Sequence, residues 1–316
     1  MILPTTTKIY CNLDEETRCG YTVPAAMKQV WNVETDLLMK LLDVCQRHGL
    51  RCWVADGTLL GAVRHKGFIP WDNDIDVVML RADYDRLLQL GSDFESPYFL
   101  QSAYTDKNYF HAHAQLRNSM TAAIRPSDCF RPFNQGIFID IFPLDAVPHD
   151  QEQLRHTLKR IRRVTRFLKS YNTPLILSGR IGLVFRKLKC QWTVRQKGWQ
   201  TIFREVDDLL RATDINQCSH VAELSFSGDE FLHDKHLFDD TVMLDFEQVR
   251  VPAPRNYDAY LRTQYGDNYM TPLHVATAHD DAVLSTEQSY TELLPEVRRQ
   301  YRRTALKRLW QKFIKR

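Results

Sequence analysis

The chain has 316 residues, of which 44% are hydrophobic, and a formal net charge of +3. These values suit a globular enzyme of one large or two small domains and give no reason to expect a nucleic-acid partner. No apolar run reaches the ~18 residues needed to cross a bilayer, and the seven cysteines, odd in number and without a C-x-x-C pair, argue against a disulfide framework or zinc ribbon and for a reducing compartment.

Residues 1–23 read as irregular, and the start lacks the basic and apolar regions of a signal peptide, so a cytoplasmic location is expected. From Pro24 to Gly49, apolar positions such as Val30, Leu37, Leu41 and Cys45 recur at helical spacing, and Gly49 is a natural stop. Residues 51–55 predict a short buried strand, Gly57 to Gly61 a turn, and 59–63 the start of a short helix. Residues 75–80 predict a second strand and 83–90 a helix. Further strands are expected at 98–101, 111–117, 121–125 and 136–143, the last ended by its proline. From Asp150 the texture becomes helical, over 150–171, about 175–189 and 193–212, with breaks near Pro174 and between Cys190 and Thr193. Short strands return over 219–252, then helices at 257–265 and 293–313. An α/β (α+β) fold follows: a mixed sheet flanked by helices, with a helical appendage.

The chemistry concentrates in Trp71-Asp72-Asn73-Asp74-Ile75-Asp76-Val77-Val78. On a strand, Asp74 and Asp76 share a face, roughly 6.5–7 Å apart at Cα. Two carboxylates so placed can hold a hard divalent cation, Mg²⁺ or Mn²⁺. Asp140 sits in a second apolar run, Ile137-Phe138-Ile139, where a carboxylate is costly unless paired, hydrogen-bonded or bound to metal. Neighbouring strands would bring it beside the pair, giving three acids around one or two ions, with Asp140 also able to orient or deprotonate a hydroxyl. Asp72 and Asp145 read as supporting residues.

Upstream, Gly57 and Thr58 follow a strand and open a helical stretch, where backbone can approach a phosphate closely. Arg64, His65 and Lys66 come a few residues later as potential phosphate clamps. No Walker A sequence occurs. His111 and His113, two apart on a strand, read as an ordinary partly exposed pair for want of a third metal ligand.

Gly57 to Val77, G-T-L-L-G-A-V-R-H-K-G-F-I-P-W-D-N-D-I-D-V, resembles the signature of the LicD family, phosphocholine transferases and their fukutin-type relatives of the nucleotidyltransferase fold. Gly136 to Asp145 resembles the family's second acidic block. Val251-Pro252-Ala253-Pro254 with Tyr257, Tyr260, Tyr265 and Gly266 to Met270 resembles a late motif, and His279 a recurring late histidine. The resemblance implies a nucleotidyltransferase-like catalytic core in 1–150, a helical insertion in 151–218, and completion of the core with a basic helix in 219–316. It implies metal-dependent transfer of a phosphoalcohol, classically phosphocholine from CDP-choline, to a hydroxyl of a cell-surface glycan precursor such as lipopolysaccharide or teichoic acid, with metal on Asp74, Asp76 and Asp140. Family members usually have Asp where this chain has Asn73, a change that spares both alternating positions. Two other functions stay open: a nucleotidyltransferase joining a nucleoside triphosphate to a small alcohol or sugar phosphate, and a non-catalytic membrane-peripheral protein.

A choline cation would seek aromatic faces, for which Trp71, Phe110, Phe130, Phe133, Tyr257 and Tyr269 are available. The last helix carries Leu294, Val297, Tyr301, Ala305, Leu309 and Phe313 on one face among many Arg and Lys. Residues 290–316 could therefore either lie on an anionic inner-membrane surface or pack on the body.

Overall fold

The computed structural model describes the backbone of residues 8–172, 181–274 and 281–314, and backbone alone at 169–170, 172, 181–184 and 305–314. A small hairpin, β1 (Glu16–Arg18) and β2 (Tyr21–Val23), leads into the long helix α1 (Ala25–His48), which Gly49 closes in the left-handed conformation at φ 60°. Strand β3 (Trp53–Val54) then feeds helix α2 (Asp56–His65) directly. The turn expected over 57–61 is therefore helical from its first residue. Gly61 lies inside α2 because the chain at Gly67 and Ile69 folds back against it, and an added Cβ would collide with the Gly67 carbonyl oxygen.

Strand β4 (Asp76–Leu80) and helix α3 (Arg81–Leu87) follow, then β5 (Tyr98–Gln101), β6 (Ala114–Asn118), β7 (Ala122–Ile124) and the ten-residue β8 (Ile137–Ala146). Pro143 does not end β8 as expected. The Asp140 N–H bonds to the Ile75 carbonyl on the β4 side, so by strand alternation the nitrogen of Pro143 points to the other edge. There β6 pairs β8 only up to Ile141 and β9 (His220–Ala222) pairs it from Asp145. The missing donor falls in the gap between two partners, where a proline is tolerated.

Helices α4 (Gln151–Asn172), α5 (Ile181–Lys197) and α6 (Trp199–Leu210) occupy the chain between β8 and β9, two strands that pair with each other. The break expected between Cys190 and Thr193 is absent. Helix α5 runs through and stops at Gly198, whose φ of 74° suits glycine. The expected break near Pro174 lies outside the described residues. Leu154, Leu158, Ile161 and Leu168 of α4 bury one stripe against Cys190 and Val194 of α5 and Phe203, Val206 and Leu210 of α6.

After β9 come β10 (His233–Asp234), the hairpin β11 (Thr241–Phe246) and β12 (Val249–Pro254), helix α7 (Tyr257–Tyr265), β13 (Val283–Ser285) and α8 (Tyr290–Ile314). The main sheet has seven strands and is mixed: β4 and β8 are parallel and its other pairings antiparallel. With helices flanking this sheet, the α+β expectation holds. Leu294 and Val297 of α8 are buried against Ala122, Ile124 and Cys129, so the first part of that helix packs on the body. Its expected face residues Ala305, Leu309 and Phe313 lie outside the described side chains.

Gly61→Ala should cost about 1–3 kcal/mol, because the neighbour that must yield is backbone. Urea denaturation of the variant would measure it.

Candidate active site

The parallel pairing of β4 with β8 sets Asp76 beside Asp140, and the antiparallel pairing of β6 with β8 sets Gln115 beside Asp140 on its other edge. One row of side chains thus crosses three strands. On β8, Phe138, Asp140 and Phe142 face a cavity of about 520 Å³, while Ile137, Ile139 and Ile141 enter the core. On β6, Gln115 and Arg117 face the same cavity, and Ala114 and Leu116 enter the core. The alternation is that of a strand with one buried face and one working face.

Asp74, Asp56 and Asp128 add to the acidic lining. Asp76, Asp140 and Asp56 are each held by local contacts. The Asp76 N–H donates to Thr58 Oγ1 at 2.8 Å, which ties β4 to the first turn of α2. Asp140 Oδ1 accepts from Gln115 Nε2 at 2.7 Å and lies 3.3 Å from His113 Nε2. Gln115 is itself held by Arg117, which also donates to Gln101 Oε1 at 2.6 Å and to the Gly136 carbonyl at 2.6 Å, with its guanidinium over the Phe138 ring. Burial pushes this arginine down to about 10.

Asp56 opens α2 with φ 43°, a left-handed conformation that costs a non-glycine residue about 1–2 kcal/mol. Tyr260 and Gln264 of α7 donate to its Oδ1, and the buried carboxyl of Glu223 hydrogen-bonds it. Burial, then the Asp56 charge, holds Glu223 well above the usual carboxylate range. Burial also raises Asp76 well above its ordinary value, followed by the charges of Asp74, Asp56, Asp140 and Asp72. Glu34 of α1, buried behind Asp74 and Asp72, is raised for the same reasons.

The residues expected at the site therefore divide. Asp74, Asp76 and Asp140 come to one cavity, and Thr58, which does not line it, braces Asp76. Gly57 lies against Asp72, where an added Cβ would stand 2.7 Å from Oδ2. Arg64, His65 and Lys66 are not among the described residues that line the cavity. Arg64 donates to the Tyr269 carbonyl at 2.9 Å and to His65 Nε2 at 2.8 Å, His65 packs its ring edge near Trp71, and Lys66 is exposed with its carbonyl bound to the Glu247 N–H. The cations that do line it are Arg117 and Arg125. Asp145 is fully buried, pushed up to about 6 by desolvation, and paired with Arg81 at 2.6 Å and 2.9 Å. His279 and Asp280 lie outside the described residues.

Sequence reasoning missed Asp56, Glu223, Gln115, Arg117 and His113. The criterion that found Asp140, an acid within an apolar run, also fits Trp53-Val54-Ala55-Asp56 and Val221-Ala222-Glu223-Leu224. His113, expected to be partly exposed, is buried at the cavity wall.

The family described as LicD/FKTN/FKRP, nucleotidyltransferase domain, matches residues 49–186. The chain carries a LicD-family domain. It is 25% identical over 264 residues to the lipopolysaccharide cholinephosphotransferase LicD of Haemophilus influenzae, covering 78% of this chain and 94% of that protein. It is also 29% identical over 91 residues to the human ribitol 5-phosphate transferase FKRP, covering 27% of this chain and 18% of that protein, and 40% identical over 53 residues to an uncharacterized Rickettsia prowazekii protein. The match to this LicD domain takes in α2, β4 and β8, the elements that carry the acidic row.

The raised Asp76 value has a consequence for stability. Its folded carboxyl keeps a proton that the unfolded chain has already released. That contribution is therefore complete below the ordinary carboxylate range and is lost as pH rises through the raised value. In the presence of a chelator, Asp76→Asn should flatten this pH dependence and raise the melting temperature at neutral pH by about 2–4 °C while abolishing turnover. Parallel thermal melts from pH 4 to 8 would read it.

Proposed function

We propose that this protein transfers a phosphoalcohol from a cytidine diphosphate donor, phosphocholine from CDP-choline in the first instance, to a hydroxyl of a glycan precursor. The observation that carries the reading is the row of Asp76, Asp140 and Gln115 beside Asp74, inside a cavity large enough for a nucleotide donor. The names of the two transferases it resembles support the reaction class.

Oxygen donors of this kind suit a hard divalent cation. Among the described residues, no group of three or more His, Cys, Asp or Glu side chains is already set as a metal cage. Mg²⁺ does not ask for one: it takes one or two carboxylates and fills its octahedron with water and substrate phosphate. Asp74 and Asp76 are the residues we assign to it, with Asp140 adjoining. Mutual repulsion among the acids, visible in the raised Asp76 value, is what a cation would relieve. The ion, when bound, supplies charge neutralisation at the phosphoryl oxygens.

The chain's own groups do the rest. The acceptor hydroxyl attacks the phosphorus that bears the alcohol. A new oxygen–phosphorus bond forms, the bond to cytidine monophosphate breaks, and the hydroxyl proton passes to Asp140. Gln115 and His113 fix the orientation of that carboxylate. Arg125 is the cation we assign to the leaving phosphate. Tyr109 and Ser225 present buried hydroxyls to the cavity that have no hydrogen-bond partner among the described residues, as a wall made for a polar ligand would. Of the aromatics expected to serve a choline, Phe110 and Phe133 reach the cavity. The closest ring set there is His113, Phe142 and Phe226, with centroids 4.7, 4.9 and 6.1 Å apart. Tilted against one another beside Asp140, these rings would receive a quaternary ammonium.

Asp74→Ala and Asp76→Ala should each lower CDP-choline turnover by about a thousandfold or more and remove its Mg²⁺ dependence. Undiminished turnover in both variants would defeat the reading, and pyrophosphate release from CTP would mark a nucleotidyltransferase instead. Phe226→Ala should raise KM for CDP-choline roughly 2- to 30-fold, the worth of one cation–π face, and leave a CDP-polyol unaffected.

A further inference from the structure

We propose that the outer face of α5 is a docking surface for an anionic lipid bilayer. Phe185, Leu188 and Trp192 are exposed to 68%, 50% and 65% of their surface. At spacings of three and four they fall within about 60° of one another around the helix. Cys190 and Val194 lie on the opposite side and are buried against α4 and α6, so the stripe is the face that the described residues leave uncovered. A solvated helix gains nothing from three large apolar side chains in line, and a contiguous stripe of this kind marks an interaction surface.

Charge selects the occupant. Helix α5 carries Arg186, Lys187, Lys189, Arg195 and Lys197 and no acidic residue. On the helical wheel Lys189 and Arg195 flank the stripe on its two sides. Long basic side chains beside an apolar stripe can reach phosphate headgroups while the rings and the leucine enter the acyl boundary. The packed neighbour α4 exposes Arg155, Lys159, Arg162, Arg163 and Arg166 against a single acid of its own, Glu152. Arg162 pairs with Asp229 at 3.8 Å, and the others add positive charge to the helical layer that holds α5. An apolar protein partner would not require these cations, and a nucleic acid would not require the stripe.

The same helical layer also meets the cavity. Thr165 of α4 lines it, and Phe110 in its wall packs on Trp199 of α6 with ring centroids 5.6 Å apart. Membrane contact on one side of this layer would hold the cavity near a lipid surface on the other. The first part of residues 290–316 packs on the body instead, with Leu294 and Val297 buried against Ala122, Ile124 and Cys129. The inference does not depend on the reaction proposed above.

The test is co-sedimentation of the full chain with vesicles of phosphatidylcholine alone and of phosphatidylcholine with about one third phosphatidylglycerol, at low and high salt. The wild type should bind the anionic vesicles, and salt should weaken the binding. The triple variant Phe185→Ser, Leu188→Ser, Trp192→Ser should lower binding about tenfold or more, and Lys189→Glu with Arg195→Glu should lower it on anionic vesicles. Circular dichroism and melting should match the wild type for both, since every altered side chain is exposed. Vesicle binding should blue-shift tryptophan emission in the wild type and less so in Trp192→Phe. The proposal is overturned if the wild type stays in the supernatant with anionic vesicles, or if the triple variant binds as the wild type does. It is equally overturned if RNA binding replaces lipid binding and only the charge variant loses it, or if the triple variant merely dissociates a dimer.

Discussion

The structure depends on one pairing, the parallel register that sets Asp76 against Asp140. Two carboxylates on adjacent strands repel one another. The fold meets the strain locally. Thr58 holds the Asp76 backbone, Gln115 holds the Asp140 carboxylate, and buried Arg117 holds Gln115. The opposite face of the same strands is continuous apolar core, which fixes register because a one-residue slip would drive each acid into it. Stability is thus spent in β4, β6 and β8 to keep charge where a substrate can use it.

A second acidic centre is built from distant parts of the chain. Asp56 stands at the head of α2, Glu223 follows β9, and Tyr260 and Gln264 come from α7. These contacts give the late motif of the sequence a structural meaning. Its helix supplies donors to an acid that belongs to the first motif, and Arg64, from the end of α2, returns the contact by bonding the carbonyl of Tyr269. The amino- and carboxy-terminal portions are joined at the cavity rim by hydrogen bonds to charged groups, which are stronger than neutral ones.

Much of this was legible in the chain. Strand β5 and helix α7 fall on the expected residues, because proline and turn residues bound the first and Gly266 the second. The three acids were found because aspartate is conspicuous in an apolar run. Asp56 and Glu223 satisfied the same criterion, but Asp56 stands where a helix begins and Glu223 where a turn begins, and an acid looks ordinary at either place. Gln115 and Arg117 carry no signal of their own: their importance comes from strand register, which only the paired structure reveals. Arg64, His65 and Lys66 were drawn to the site by proximity in sequence, yet the helical rise of α2 carries them about 12–15 Å from its first residue. Helix α5 was expected to break after Cys190, but Gln191 and Trp192 favour helix enough for the break to wait for Gly198.

Pro143 has a broader implication. It occupies the seam where β8 exchanges one neighbour for another, and it leaves that short edge without a donor to satisfy. The helical layer departs after this seam and returns at β9, which pairs with Asp145 and Ala146 of β8 and accepts the Val147 N–H at the His220 carbonyl. The acidic row lies upstream of the seam and takes its alignment from β4 and β6. The length and sequence of the inserted helices can therefore drift without moving the acidic row, so a single cavity floor could be fitted with different outer surfaces.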